Sequence, residues 1–450
     1  MIAITLSEAA QWSDALFIGQ DVEVTGIAID SRLVTPGSLF VAIKGKRQDG
    51  HHYIADAKAR GACAVMLTQQ VSTDLPVLLV NDVVVALGKL AAAWRRSHAI
   101  PVIGVLGSNG KTTVTQMIAT ILGYHYGTAV LATHGNQNNL LGVALTLSRL
   151  NAGHQAAVVE MGANHPGEIT QLGAIVRPNF AVITNAGFDH VAGFGGIEGA
   201  AKANGEIFAT MADSGCAIIN GDDACQRIWR SQLGKRAYVQ FGFNPGVEVQ
   251  GFWYPHSNAG EFLLDSLWGQ IQCQLNLLGQ HNVLNALAAA ATCLLMGVSL
   301  DTIALGLAAM QPINGRLKPS YAESGALILD DTYNANPSSL QAALATLSAL
   351  PGKHILVLGD MVELGDQAES WHTQAACDAR TAGVELVFAV GELARFATRR
   401  FGHGAKHYSN IEALLDALQP ELDSGINVLI KGSRCMGLER VVEKLLQPAL

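Results

Sequence analysis

The chain lacks any concentrated stretch of one charge. Asp, Glu, Lys and Arg make up 15% of its 450 residues, the formal net charge is −8, and no run of Lys or Arg opposes that charge. Because proteins that bind nucleic acid neutralise phosphates with clustered cations, we do not expect a nucleic-acid partner. An acidic protein with one basic turn is still compatible with a nucleotide ligand.

Paired cysteines, a secretory pattern and a long uninterrupted apolar run are also missing. The seven cysteines form no Cys-x-x-Cys pair, which predicts free thiols in a reducing compartment. Residues 1–20 have no basic start followed by an apolar core, so we expect no signal peptide. The most apolar stretch, 283–300, contains Asn285, Thr292 and Ser299 and predicts a buried helix, not a membrane span. We therefore expect a cytoplasmic protein, and a monomer because no apolar self-pairing stripe is evident.

Hydrophobic residues (49%) and glycines (47) are abundant, as is typical of well-packed α/β proteins. From Val102 onward, apolar runs alternate with amphipathic stretches such as 113–122 and 198–210, which predicts parallel strands joined by helices. Residues 240–278 alternate as hairpins do, and the Pro- and Gly-rich segment 311–319 predicts a linker. The predicted strands are 25–29, 39–43, 102–106, 129–131, 156–160, 180–184, 216–220, 326–331, 354–360, 385–391 and 426–432, with a helix at 52–60 in the less regular first hundred residues.

The sequence VIGVLGSNGKTT, residues 102–113, places a glycine-rich turn between a predicted strand and a predicted helix. Backbone N–H groups of such a turn point at one anion, Lys111 can reach terminal phosphates, and the Thr112 hydroxyl can hold Mg²⁺. The Walker pattern has glycine where this chain has Val105, so an ordinary glycine turn with an incidental lysine is the alternative. The predicted phosphate-binding residues are Gly107, Ser108, Asn109, Gly110, Lys111, Thr112 and Thr113.

Two further side chains follow neighbouring predicted strands. Glu160 ends strand 156–160, and His190 follows strand 180–184, so both belong at the carboxyl edge of the sheet, where open α/β folds bind ligands. A carboxylate there is costly to desolvate unless it faces a cation. A lone loop histidine is more often a surface residue, but with Thr112 the three positions predict a magnesium site beside ATP.

These patterns predict an α/β protein of three domains. A central P-loop-type parallel-sheet domain would span 101–312. A small α/β amino-terminal domain, 1–100, and a Rossmann-like carboxyl-terminal domain, 313–450, would flank it.

Six segments carry a resemblance to a known family: GSNGKTT, VVEMGANHPGEI, NAGFDHVAGFGG, GQHNVLNALAAAA, NGRL and DDTYNANPSS. In this order they resemble the Mur ligases, the ATP-dependent amino-acid ligases of peptidoglycan precursor synthesis. The likeness runs from IAIDSRLVTPGSLFVAIKGKRQDGHHYI to LIKGSR, essentially the whole chain. Within the family, YNANP with GDMVELGD resembles the member that adds D-alanyl-D-alanine to UDP-N-acetylmuramoyl-tripeptide. The Asp-Asn-Pro-Arg signature of the diaminopimelate-adding member is absent.

The resemblance implies ATP and Mg²⁺ as cofactors and an acyl phosphate as intermediate. A carboxylate cannot expel oxide, whereas a phosphorylated carboxylate can expel phosphate when the amine of D-alanyl-D-alanine attacks. Catalysis would then be mostly positioning and charge neutralisation. The implied partners are the two small-molecule substrates, UDP-N-acetylmuramoyl-tripeptide and D-alanyl-D-alanine.

The resemblance also implies roles for single residues. Lys111 and Thr112 would hold phosphates and a first Mg²⁺ with Glu160, while His190 would hold a second Mg²⁺. The other nucleotide contacts implied are Asn282 to adenine, Asp331 to the ribose and Arg316 to the γ-phosphate. The implied substrate contacts are Ser31, Arg32, Lys44 and Gly45 to the uridine diphosphate, Asn136, Asn138 and Asn139 in the cleft, and Asn334, Asn336, Lys431, Ser433 and Arg434 towards the dipeptide.

Each assignment has a plainer alternative on the residues alone. Asn282 could cap the Ala-rich helix, Asp330–Asp331 could form a strand-end turn, and Asn136 to Asn139 could be an ordinary polar turn. Arg32 could be an exposed surface charge. Three further histidines are interpreted as structural or surface residues: His134, His165 and His372.

The sequence departs from the family at one chemically important position. Family members usually carry a lysine, in the pattern K-x-x-[IL]-[FY], whose carbamate helps to bind the second Mg²⁺. Here Asn204 occupies that position, and Lys202 lies two residues earlier, about 200° away around a helix. Asparagine cannot become a carbamate, so the metal is held differently or the activity is altered. Leu140 and Ala144, where Asp and Pro are frequent, are smaller departures.

Rival functions remain open at this point. A sister ligase or a folylpolyglutamate-type synthetase is the nearest, although DSRLVTPGSLF in the first domain argues against the folate enzyme. A nucleotide-binding regulatory protein without catalysis gains some support from Asn204. A P-loop motor or transport ATPase would need a second repeat or partner segment that we do not find.

Overall fold

The computed structural model describes residues 2–188, 191–254 and 260–447. Its strands form three large sheets and one two-stranded pair, with helices between them, so the predicted α/β class is confirmed. Across the described ranges, no helix combines the length and the apolarity needed to cross a bilayer.

The first sheet is built from the amino-terminal residues. Its elements are β1 Ile4–Thr5, α1 Leu6–Ser13, β2 Leu16–Ile18, β3 Glu23–Val24, β4 Gly26–Ala28, β5 Ser38–Val41, α2 Ile54–Ala59, β6 Ala64–Leu67, β7 Val77–Leu79 and α3 Val83–Arg96. The order is β2-β7-β6-β5-β4, with β1 and β3 paired separately. Asp82 starts α3 by accepting hydrogen bonds from the N–H groups of Val84 and Val85. Helix α3 is not among the predicted elements, although its buried residues Val83, Leu87 and Leu90 follow a helical spacing.

The second sheet holds nine strands. Its elements are β8 Val102–Leu106, α4 Lys111–Tyr126, β9 Val130–Ala132, α5 Leu140–Ser148, β10 Ala156–Glu160, α6 Glu168–Val176, β11 Phe180–Ile183, α7 Val191–Phe194, α8 Ile197–Gly205, β12 Cys216–Asn220, α9 Gln226–Leu233, β13 Ala237–Gly242, β14 Val249–Trp253, β15 Phe262–Ser266, β16 Gly269–Cys273, α10 Gln280–Leu295 and α11 Leu300–Ala308. The order is β16-β15-β14-β13-β12-β11-β8-β10-β9. Strands β8 to β14 pair in parallel, and β15 and β16 are antiparallel, which confirms the hairpins predicted in 240–278.

Helices cover both faces of this sheet. On one face, α4 and α10 pack together over β8, β12 and β13. Most residues of α10 are buried, which confirms the buried helix predicted from the most apolar stretch of the chain. On the other face, α5 and α6 pack against α3, so the first and second sheets share a helical layer.

The third sheet closes the chain. Its elements are β17 Lys318–Tyr321, β18 Leu327–Asp331, α12 Pro337–Ser348, β19 Lys353–Leu358, α13 Ala368–Thr381, β20 Val384–Val390, α14 Ala394–Phe401, β21 Ala405–Tyr408, α15 Ile411–Leu418, β22 Ile426–Lys431 and α16 Glu439–Leu446. The order is β17-β18-β22-β19-β20-β21, parallel except for β17 at the edge. The loops at the carboxyl ends of β18 and β22 face those of β8 and β10 across one pocket.

Candidate active site

The glycine-rich turn joins β8 to α4, and two of its glycines are required by the backbone. Gly107 has φ +128° and Gly110 has φ +82°, which L-residues rarely adopt. A Cβ at Gly107 would collide with the hydroxyl of Thr184, and one at Gly110 with the side-chain oxygen of Asn285. Because β8 lies between β10 and β11, the turn sits where the strand order reverses, the usual ligand site of such sheets.

The loop after β11 holds this turn in place. Asn185 accepts from the Asn109 N–H (2.9 Å) through its side chain and from the Ser108 N–H (3.0 Å) through its carbonyl, and its amide donates to the Asn109 carbonyl (3.0 Å). The Ser108 hydroxyl accepts from the Gly187 N–H at 2.9 Å, and Thr184 donates to the Asn109 carbonyl at 2.6 Å. The turn is therefore rigid before any ligand arrives.

The cations of the site touch the turn directly. The Lys111 ammonium donates to the carbonyls of Gly107 (2.6 Å) and Ser108 (2.9 Å). Arg316, in the turn that precedes β17 of the third sheet, donates from Nη2 to the Thr112 hydroxyl at 2.8 Å. Two positive groups from different parts of the chain thus converge on the place where a triphosphate would lie.

Glu160 ends β10 with one oxygen paired and the other free. The residue is 2% exposed; Oε1 accepts from the Asn138 amide at 2.8 Å, whereas Oε2 has no hydrogen-bond partner among the described residues. A buried carboxylate oxygen without a donor is unfavourable unless a cation meets it, so Glu160 fits Mg²⁺. The described part of the chain holds no group of three or more His, Cys, Asp or Glu that could bind a metal ion.

The start of α10 contributes a second polar face. Its N-cap is Gly279, so Asn282 is not the cap; its amide instead donates to the Leu278 carbonyl at 2.8 Å, and Asn285 donates to Asn282 at 3.2 Å. His281 lines the same pocket. Burial lowers the pKa of His281 to about 4 despite the opposing charge of Asp331, so the imidazole is neutral at pH 7.

The third sheet brings an ion pair and an arginine to the pocket. Lys431, 2% exposed, donates to Asp331 and to the Asn334 carbonyl (3.0 Å). Asp331 also accepts from the Leu317 N–H at 3.1 Å. The strand-end turn proposed for this segment is real, because Asp330 accepts from the Gly315 and Thr332 N–H groups; both aspartates thus fix the turn that carries Arg316.

These groups surround one pocket of about 400 Å³ between the second and third sheets. The guanidinium of Arg316 lies 4.3 Å from the centre of the Tyr333 ring, and the Asn336 amide donates to the Asn109 side chain at 2.9 Å. The third sheet is therefore docked on the glycine-rich turn. The arrangement can bind a polyphosphate, neutralise it from two sides and hold a divalent cation.

Three family models match successive parts of the chain: Mur ligase family, catalytic domain, at 23–95; Mur ligase middle domain at 105–293; and Mur ligase, glutamate ligase domain, at 315–434. The UDP-N-acetylmuramoyl-tripeptide–D-alanyl-D-alanine ligase of Escherichia coli (strain K12) is 39% identical, over 99% of each chain. The chain belongs to the Mur ligase family.

Solved structures of Mur ligases have the same architecture. A crystal structure of MurF from Acinetobacter baumannii matches with a TM-score of 0.92 and 33% identity, over 100% of both chains. MurF ligase from Thermotoga maritima, solved in complex with ADP, matches with a TM-score of 0.83 and 26% identity, over 93% of this chain and 96% of the other.

The structure of this Mur ligase brings most of the predicted nucleotide residues together. The predicted residues that line the pocket are Ser108, Asn109, Gly110, Lys111, Thr112, Thr113, Asn138, Glu160, Asn282, Arg316, Asp331, Asn334, Asn336 and Lys431. The predicted residues that do not line it are Gly107, Ser31, Arg32, Lys44, Gly45, Asn136, Asn139, Ser433 and Arg434. His190 lies outside the described residues.

Several residues of the second group have structural partners. Asn139 caps α5 by accepting from the Gly142 N–H at 2.9 Å. Ser433 is 1% exposed, so it holds loops together and does not face solvent. Arg434 pairs with Glu439 at 3.3 Å on the surface. Arg32 is exposed, and its Nη2 lies 2.6 Å from an oxygen of the Asp30 carboxylate. This hydrogen bond lowers the pKa of Asp30 to about 2.

The sequence reasoning missed some lining residues. Asn285 follows Asn282 by three positions and so shares its helical face, a spacing that could have pointed to it. Tyr333 immediately precedes Asn334, which the sequence predicts to lie on the dipeptide side. Asn185 and His281 gave no signal of their own. On α8, Asn204 is half-buried and Lys202 is exposed.

Proposed function

We propose that this chain is an ATP-dependent, ADP-forming ligase that joins D-alanyl-D-alanine to UDP-N-acetylmuramoyl-tripeptide through an acyl phosphate. The observation that carries the proposal is the pocket itself, where Lys111 and Glu160 face Arg316 from the third sheet. Relatives with this activity in their names match over nearly the full length of the chain. The ADP complex of the Thermotoga maritima MurF supports ATP as the phosphoryl donor.

The chemistry needs charge neutralisation more than covalent participation. Moving a γ-phosphoryl group to a carboxylate brings several negative oxygens together, and the Lys111 ammonium and the Arg316 guanidinium lie where they would offset that charge. Thr112, Glu160 and His190 would hold Mg²⁺, which when bound neutralises phosphate charge. The neutral His281 and Asn282 would offer the adenine an uncharged polar surface.

The remaining roles follow the order of the chain. Domains at 1–100, 101–312 and 313–450 would bind the uridine nucleotide, ATP and the dipeptide respectively. Ser31, Arg32 and the Lys44–Gly45 turn would meet the uridine diphosphate. The Asn136–Asn139 loop would line the cleft. Asn334, Asn336, Lys431, Ser433 and Arg434 would shape the dipeptide side, Ser433 from the interior. We propose a cytoplasmic monomer, because the sequence shows no apolar self-pairing stripe and its cysteines form no Cys-x-x-Cys pair.

The test is release of ADP and phosphate from ATP and Mg²⁺ with the UDP-linked tripeptide and D-alanyl-D-alanine, each omitted in turn. We expect turnover only with all components, and a product whose mass equals the two substrates minus water. Arg316→Ala should lower the rate by about 10²–10³-fold, the loss typical of one charge-stabilising donor. Arg400→Ala, which removes an exposed arginine of helix α14, should have no such effect.

Other results would redirect the assignment. ATP binding without turnover would favour a nucleotide-binding protein that has lost catalysis. Turnover with a different amino acid in place of the dipeptide would favour a sister ligase.

A further inference from the structure

Two adjacent aromatic side chains of helix α13, Trp371 and His372, contact two different loops: Trp371 the loop after β11 and His372 the loop after β19. The ring of Trp371 lies 4.3 Å, centre to centre, from the ring of Phe188, at an angle of 57°. Phe188 belongs to the loop after β11, whereas Trp371 belongs to the third sheet's helical layer. Trp371 is oriented by its N–H, which donates to the Gln367 side chain at 3.2 Å. This contact therefore joins the second and third sheets.

The Phe188 end of the contact is attached to the glycine-rich turn. Gly187, its neighbour, donates its N–H to the Ser108 hydroxyl at 2.9 Å, and Asn185 is bonded to Asn109 in both directions. A displacement of Phe188 would thus reach the phosphate-binding turn through backbone bonds.

The Trp371 end leads to the dipeptide side of the pocket. The next residue, His372, is 0% exposed, and its Nε2 accepts from the Met361 N–H at 3.0 Å. Val362 donates its N–H to the Ser433 hydroxyl at 3.0 Å, and that hydroxyl donates to the Ala335 carbonyl at 3.5 Å. A connected series of contacts so runs from α13 to the loops after β22 and β18.

Among the described residues, the other hydrogen bonds between these two sheets near the turn involve pocket-lining residues, and the Phe188 N–H itself donates to the Ser338 hydroxyl at 3.5 Å. Arg316 with Thr112 and Asn336 with Asn109 involve groups that a bound nucleotide would itself engage. Phe188 and Trp371 do not line the pocket, so their contact can persist when it fills.

We propose that the Phe188–Trp371 contact is a positioning contact that aligns the phosphate-binding turn with the dipeptide-side loops. This proposal rests on the proposed function. It assigns positioning roles to Trp371, His372 and Ser433, which do not line the pocket and so act through their neighbours. An aromatic pair of this geometry changes an equilibrium by a factor of about 2 to 10, which sets the scale of the effect.

The test is a double-mutant cycle of Phe188→Leu and Trp371→Leu in the full chain. We expect each single variant to lower kcat/KM for D-alanyl-D-alanine by about 2- to 10-fold, with a smaller change in KM for ATP, because ATP is held mostly by the second sheet. The double variant should be no worse than the poorer single variant, and Trp371→Phe should restore most of the loss. Single effects that multiply, or a dipeptide kcat/KM unchanged in both, would overturn the proposal.

A matched control removes a different aromatic contact. The rings of Phe388 and Tyr408 stack at 5.8 Å, centre to centre, within the third sheet. Tyr408→Leu should therefore change neither kcat/KM for D-alanyl-D-alanine nor KM for ATP. Emission of Trp371, obtained as native minus Trp371→Phe, should shift to longer wavelength in Phe188→Leu. An inactive native chain would refute the proposed function. The emission shift would then be the remaining test of the Phe188–Trp371 contact, and an unchanged emission would refute the contact as well.

Discussion

Replacing Lys431 by methionine should destabilise the third sheet strongly, because it strands a carboxylate. The Lys431 side chain is 2% exposed and its ion-pair partner Asp331 is 11% exposed, so methionine of similar length would leave Asp331 buried without its cation. Removing one member of a buried pair costs about 3–5 kcal/mol, whereas an exposed pair contributes about 0–1 kcal/mol. The matched control is Arg434→Met, which breaks the Arg434–Glu439 pair, where the arginine side chain is 62% exposed.

Native-state hydrogen exchange measures this effect where it arises. The amides of β18 and β22, which pair in parallel beside the ion pair, are the reporters. A loss of about 3–5 kcal/mol accelerates exchange by about two to four orders of magnitude if these strands open through unfolding of the sheet. Arg434→Met should change it less than about fivefold. Equal, small effects in both variants would refute the view that Lys431 compensates a desolvated charge.

Further predictions concern the metal, the missing lysine and pH. Glu160→Gln should raise the Mg²⁺ concentration for half-maximal turnover at least about tenfold, since the unpartnered oxygen becomes an amide; an unchanged Mg²⁺ titration would remove Glu160 from the metal site. Native activity should not depend on bicarbonate, because Asn204 cannot form a carbamate, whereas Asn204→Lys should become bicarbonate-dependent; activity in that variant alone would mean that the native second metal site is defective. Stability should fall as pH falls from about 6.5 to about 4, because in that range the unfolded state binds a proton that the half-buried His281 of the folded state does not. His281→Gln should reduce that slope in urea unfolding.

Local sequence patterns predicted many of the strands well, because an apolar run of five or six residues bounded by turn residues is enough to identify a buried strand. Strands 102–106, 156–160 and 216–220 match the structure residue for residue, since each is apolar on both faces and bounded by turn residues. The position of Glu160 at a sheet edge followed from the same reasoning. By contrast, Asn139 and Ser433 were predicted to face substrate, and the structure uses them as a helix cap and an interior link. Polar residues in loops serve both purposes, and no local spacing separates the two.

Contacts between the sheets lay beyond sequence reasoning for a different reason. Arg316 and Thr112 are 204 positions apart, and only the docking of two sheets brings them within 2.8 Å. The bracing of the turn by Asn185 likewise depends on β11 lying beside β8, which the order of strands along the chain does not reveal. The family resemblance implies a contact of Arg316 with the γ-phosphate, but it does not reveal that Thr112 is its partner in the structure.

Most charged groups at the site have hydrogen-bond or ion-pair partners, but one carboxylate oxygen of Glu160 has none among the described residues. We infer that the paired groups support the structure and that the unpaired oxygen takes part in binding. Asp331 is paired with Lys431, and Asp330 accepts hydrogen bonds from backbone N–H groups, so these residues fix the loop that carries Arg316 whether or not a ligand is present. The Oε2 atom of Glu160 is buried and has no donor among the residues that the structure describes, a condition that costs about 1–3 kcal/mol or more for a charged group. A fold that already provides partners for Asp330 and Asp331 would gain stability by providing one for this oxygen too. Its persistence is best explained by a cation that arrives with the nucleotide, so that the same oxygen that weakens the empty protein strengthens the loaded one.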